Sequence, residues 1–157
     1  MIEKVQRRVA RQYRTSILGW LHMVRVHSRI SRGEQALLAA YGLTGAQFDV
    51  LSHLASEPGL NQQMLAGRLL VTKGNVAGLI DRLETAGFVE RRDDPEDRRT
   101  HRLYLTPAGE CAFDAAAPAL ETHIDSRFET LNPDEQATLL SLLAKLDRAL
   151  RNEKEEC

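Results

Sequence analysis

The feature that most constrains this chain is a change of period at Gly87. Before it, apolar residues recur every three or four positions, the spacing of helices with one buried side. After it, two short runs, Phe88–Arg92 and Arg102–Leu105, read as strands, and residues 93–101 between them are polar and contain Pro95. A helix stopped by glycine and followed at once by a hairpin leaves few architectures open. The element order is helix, helix, helix-turn-helix, hairpin, helix, helix. This predicts a mainly α fold with a small β-hairpin wing: a winged helix-turn-helix flanked by further helices.

Local signals set the boundaries. Residues 2–39 read as helix on the stripe Val5, Val9, Tyr13, Ile17, Leu21 and Val24, with Gly19 and Gly33 as points where it is expected to break or bend. Thr44 and Gln47 form a capping box opening the next helix, which ends before Pro58-Gly59. Asn61 caps a short helix from Gln62 to about Leu69, and Thr72 caps another running to Ala86. Thr106-Pro107 starts an Ala-rich helix, expected to bend at Pro118, and Asn132–Glu135 is a further capping box before a leucine-striped last helix. Three segments follow: 1–40, an N-terminal helical dimerisation segment; 41–106, the winged helix-turn-helix; and 107–157, a C-terminal helical dimerisation segment.

Of the 157 residues only 5% are aromatic, so the core is built from Leu, Ala, Val and Ile, which suits helices. No apolar run approaches a membrane span, the N-terminus does not read as a secretory signal, and Cys111 and Cys157 form no motif, so the cytoplasm is expected. The net charge of −1 conceals a polarity. Residues 1–40 hold eight Lys/Arg against two acids, residues 41–106 eight against nine, and residues 107–157 five against eleven. The oppositely charged ends either differ by chance of solvation or pack beside each other, within a chain or across a dimer. No nucleophile with its base, phosphate loop or metal-ligand spacing is present, so neither an enzyme nor a cofactor is expected. His22, His27, His53, His101 and His123 are scattered, and Asp49 with His53 reads as a helical ion pair.

The helix before the hairpin carries the chemistry. A recognition helix turns its N-terminal residues toward base edges in the major groove. Those residues are Thr72, Lys73, Gly74, Asn75, Ala77 and Gly78, while Val76, Leu79, Ile80 and Leu83 face the core. Asn75 can read a base with two hydrogen bonds, Ala77 can touch a thymine methyl, and small neighbours allow close approach. Asn61, Gln62 and Thr72 sit at helix starts, where phosphate is favoured. Arg82 suits either an ion pair within the domain or a DNA phosphate.

On these residues the chain resembles the MarR family (multiple antibiotic resistance regulators). The resemblance runs from about Leu43 to Gly109 and more loosely to Leu150. It is carried by Leu43–Leu51, Leu65-Ala66, Val71-Thr72, Val76, Leu79–Glu84, Gly87–Arg91, Asp93–Arg99 and Leu105–Gly109. Its most specific part is the wing, Asp97-Arg98-Arg99. There the resemblance implies an arginine, Arg99, in the minor groove, oriented by Asp97. Arginine in a narrow minor groove is an independent source of affinity. The chain departs from the family at Gly78, where relatives often carry a long polar residue, and at Gly74 and Asn75.

The resemblance further implies a homodimeric, ligand-responsive repressor on a pseudo-palindromic operator, released by an aromatic or lipophilic anion. Trp20, Met23 and His27 on one helical side, with Phe113 and Ala117 opposite, are candidates for that ligand or ordinary interface packing. Two alternatives stand beside this reading. One is a redox-responsive regulator using Cys111, although that residue is expected to pack as a small hydrophobe. The other is a winged helix used for protein contact, against which Arg91, Arg92, Arg98, Arg99 and Arg102 argue.

Overall fold

A computed structural model describes residues 14–69, 73–95, 97 and 99–155. Two compact units divide the chain after Glu121. The first begins with α1 (Thr15–Ala39), α2 (Gly45–Ser56), β1 (Leu60–Asn61) and α3 (Gln62–Arg68), and continues with α4 (Lys73–Thr85), β2 (Val89–Asp93) and β3 (His101–Leu105). α5 (Pro107–Phe128) runs across the division, and α6 (Pro133–Glu155) belongs to the second unit.

α1 passes through Gly19 and Gly33 without a break, contrary to the expected interruption. A single glycine weakens a helix by only about 1 kcal/mol relative to alanine, and good helix formers on either side hold it. The stripe residues Val5, Val9 and Tyr13 lie outside the described residues. α1 ends in a Schellman turn. Gly42 stands at φ +70, its N–H bonds the Ala39 carbonyl at 3.1 Å, and the Leu43 N–H reaches Leu38 at 3.0 Å. Leu38 and Leu43 are both buried, the apolar clasp that accompanies this motif. The same turn closes α4, through Gly87 to Glu84 and Phe88 to Leu83, both at 2.9 Å.

The helix starts follow the sequence closely. Thr44 and Gln47 make the full capping box, and Asn61 accepts the Met64 N–H at 2.8 Å. Asn132 and Glu135 exchange bonds of 2.9 and 3.0 Å at the head of α6. The Thr72 cap lies outside the described residues. α5 continues through Pro118.

The hairpin is longer by a residue on each side of its loop than the sequence suggests, and it has a third partner. β1 adds to β3 through Leu60↔Leu103 and Asn61↔Arg102, so the sheet order is β1-β3-β2. Two residues are too few to show alternation, which hides β1 from a periodicity reading. Its effect is to tie the start of α3 to the wing. The core beneath consists of Leu38, Leu51, Leu54, Leu65, Ile80, Leu83, Val89 and Leu103, with Phe48 stacked on Phe113 at 5.4 Å. Ala116 brings α5 into it.

The root of the hairpin is held from both sides. The Thr106 hydroxyl donates to the Gly87 carbonyl at 2.5 Å and accepts the Gly109 N–H at 3.1 Å, while the Thr106 N–H bonds Phe88 at 3.0 Å. α5 approaches so closely that a Cβ on Gly109 would stand 2.0 Å from the Phe88 carbonyl oxygen. Only glycine fits there.

Candidate nucleic-acid interface

α4 separates its faces as its period requires. Val76, Leu79, Ile80 and Leu83 are buried, anchoring the helix on the core. Asn75 and Arg82 are exposed on the other side, with Ala77 and Gly78 half-buried between the two faces. Lys73 and Gly74 open the helix, but their side chains, like Thr72, lie outside the described residues.

The carboxylates of α4 do not pair with Arg82. Arg91, from β2, places Nη2 2.5 Å from the Asp81 carboxylate and Nη1 against Glu84. It is only 24% exposed, so this fork joins the helix to the hairpin from a partly sheltered position. Arg82 makes no ion pair among the described residues, with Asp81 and Glu84 both held by Arg91. The reason is geometric: β2 runs beside the C-terminal turns of α4, and Arg91 meets both acids first.

The wing divides its arginines in the same way. Arg92 bonds Glu90 at 2.7 Å and lies over the Tyr104 ring at 4.3 Å. Arg102 Nε is 2.8 Å from Asp94, which is buried. Three of the five arginines thus answer carboxylates of their own domain, so the positive wing is narrower than the sequence suggests. Arg99 is exposed and makes no ion pair among the described residues; Arg98 lies outside them. Asp97 works on the backbone of that turn. Its carboxylate accepts the Arg99 N–H at 2.9 Å and the Thr100 hydroxyl at 3.1 Å, and its carbonyl accepts the Thr100 N–H at 2.9 Å. It fixes the backbone from which Arg99 leaves the loop, and the guanidinium pairs with no carboxylate among the described residues.

Asn61, Gln62 and Arg99 come together across a cleft of about 510 Å³ between α3 and the wing. Gln63, Thr100 and His101 share this lining and were missed by the sequence reading. The β1 pairing that brings them there leaves almost no sequence signal. His101 faces Asp93 at 3.2 Å across the register pair that opens the wing.

The residues considered for an effector are more dispersed. Phe113 lines a second cleft of about 510 Å³ with Arg92, Tyr104 and Glu110, and Ala117 packs on the core. On α1, Trp20 is 61% exposed, Met23 is half-buried, and His27 shares a 3.1 Å contact with Ser31. Cys111 is exposed, correcting its expected packing as a small hydrophobe: it falls on the outer side of α5, away from Ala116. Asp49 is held above the usual carboxylate range by partial desolvation, which His53 opposes and Glu34 reinforces. Among the described residues, no group of three or more His, Cys, Asp or Glu could hold a metal ion. No described helix is long and apolar enough to cross a membrane.

A helix-turn-helix resting on a leucine core, with a hairpin that projects an uncommitted arginine beside it, defines a winged helix-turn-helix DNA-binding protein. Similarity to known proteins narrows the class. A sequence model of the MarR family matches residues 41–100. An uncharacterized HTH-type transcriptional regulator of Bacillus cereus is 33% identical over 138 residues, spanning 87% of this chain and 90% of that one. The transcriptional repressor CouR, solved bound to a 23-mer DNA duplex, superposes with a TM-score of 0.75 at 35% identity, covering 80% of this chain and 89% of its own. BpsR of Bordetella bronchiseptica, solved to explain regulation of its DNA binding by 6-hydroxynicotinic acid, gives 0.78 at 28% identity, covering 86% and 96%. The chain belongs to the MarR family. It is a DNA-binding transcriptional regulator and not an enzyme.

Proposed function

We propose that the protein is a homodimeric, ligand-responsive repressor of a pseudo-palindromic operator. In this reading α4 enters the major groove with Lys73, Gly74, Asn75, Ala77 and Gly78, and Arg99, set by Asp97 and flanked by Arg98, enters the minor groove. Asn61, Gln62 and Thr72 hold phosphates at helix starts. The observation that carries it is the uncommitted Arg99 on a turn braced by its own aspartate, beside a helix whose outward face makes no packing demand. A side chain kept free at such a place is available to DNA.

A single reading head covers one half-site, so two-fold pairing is the economical design. The segments 1–40 and 107–157 are assigned to it. Its support is the apolar surface a single chain leaves open: Ile17, Trp20, Leu21, Val24 and Val26 on α1, and Leu142, Leu143, Leu146 and Leu150 on α6. The opposite charges of the two ends favour the same arrangement. Repression and release by an aromatic acid draw support from CouR and BpsR, and Trp20, Met23, His27, Phe113 and Ala117 are the residues assigned to the effector.

Selection of bound fragments from random DNA, with and without aromatic carboxylic acids, tests the whole reading. A two-fold symmetric motif whose recovery falls with one of the acids is the expected result. Recovery of no motif sinks the operator, and recovery indifferent to every acid sinks the effector.

A further inference from the structure

We infer that Arg82 is a base-reading residue, which selects guanine through the space left open at Gly78. The inference rests on the reading of α4 as the helix in the major groove. Asn75, Gly78 and Arg82 follow at intervals of three and four, so they share one face of α4, opposite the buried Val76, Leu79, Ile80 and Leu83. Long side chains on a helix lean toward its N-terminus, covering the turn before their own. Arg82 does so: its Nη1 lies 3.9 Å from where a Gly78 Cβ would stand, and, apart from Gly78's chain neighbours and the helix's own backbone, no other described atom comes within 4 Å of that point. The guanidinium therefore sits about one turn closer to the reading end of α4 than its Cα does.

Two further observations keep it there. Asp81 and Glu84, the acids beside Arg82 on α4, are both taken by Arg91, so neither draws the guanidinium toward the C-terminal end. Arg82 is also exposed, free of the core. A long side chain at position 78 would fill the space the guanidinium uses. Glycine at 78 and arginine at 82 thus act as a unit, delivering five donors in a planar fork to the middle of the outward face. A fork on a base edge fits the O6 and N7 acceptors of guanine.

The test uses the full chain and random-sequence DNA, comparing the wild type with Arg82→Lys and Gly78→Leu. The wild type is expected to select guanine at one position of each half-site by about tenfold. Arg82→Lys keeps the charge but not the fork, so that one preference should fall to near even while non-specific affinity stays within about twofold. Gly78→Leu displaces the guanidinium with Arg82 intact and should erase the same position. If the lysine variant weakens all sequences equally, or both variants keep every preference, Arg82 reads no base and the inference is overturned. If both variants lose their fold by circular dichroism, it is overturned as well, because an arginine free for a base cannot hold the domain together. A wild type that selects no motif overturns the role of α4 instead, which separates the two failures.

Discussion

At the scale of single residues, the wing sets apart an arginine that holds the fold from one that is spare. Arg99 makes no ion pair among the described residues, so Arg99→Ala should leave the thermal midpoint unchanged. Operator affinity should fall by about 1–2 kcal/mol, on the order of tenfold, as read by fluorescence anisotropy. Arg91→Ala should behave in the opposite sense. It strands Asp81 and Glu84 on α4, the helix proposed to lie against DNA, so stability and affinity should fall together, and Asp81→Asn with Glu84→Gln should recover part of the affinity. The contrast also marks the limit of the sequence. Five arginines near the wing were visible as a basic cluster, but which of them meets a carboxylate depends on strand register and on the side of α4 that β2 passes. The buried face of α4, in contrast, was legible residue by residue, because a period of 3.6 leaves little choice once Val76, Leu79, Ile80 and Leu83 are seen.

Between elements, the joints decide. Caps at Thr44, Asn61, Thr106 and Asn132 were legible because each needs one side chain at a fixed offset from a free N–H. β1 was not, since a strand of two residues exists only through its partner. Gly109→Ala should be among the most damaging small changes in the chain. The added methyl meets backbone, which cannot swing aside, and a loss of about 1–3 kcal/mol is expected in urea unfolding. The connection from α2 to α3 offers a pH test. Arg68 donates to Glu57 at 2.5 Å and holds that carboxyl below its usual range. Its stabilisation is therefore complete above the ordinary glutamate range and is lost as pH falls through the lowered value. Glu57→Gln should lower the thermal midpoint slightly at neutral pH, and the two proteins should converge in strong acid. A difference that persists in acid would show that the pair is not its cause.

For the whole molecule, the proposal of two-fold pairing predicts a solution mass of twice the 17.6 kDa chain by light scattering. Operator affinity should fall steeply with salt as counterions are released, and Arg99→Ala should make the slope shallower by about 1 per subunit. Tight binding indifferent to salt would argue that the winged helix serves a protein partner. The stitching at the root of the hairpin has a consequence for the DNA itself. Thr106, Gly87, Phe88 and Gly109 tie the end of α4, the adjoining ends of both strands and the start of α5 into one knot, so the root of the wing is held to α4. Under the proposed function, that root sets the span between α4 and the wing along the duplex. In the proposed placement, inserting one base pair between the bases met by α4 and the minor-groove step met by Arg99 shifts one relative to the other by about 3.4 Å, against a wing held at its root. Spacing within each half-site should therefore be as strictly selected as the bases at its ends.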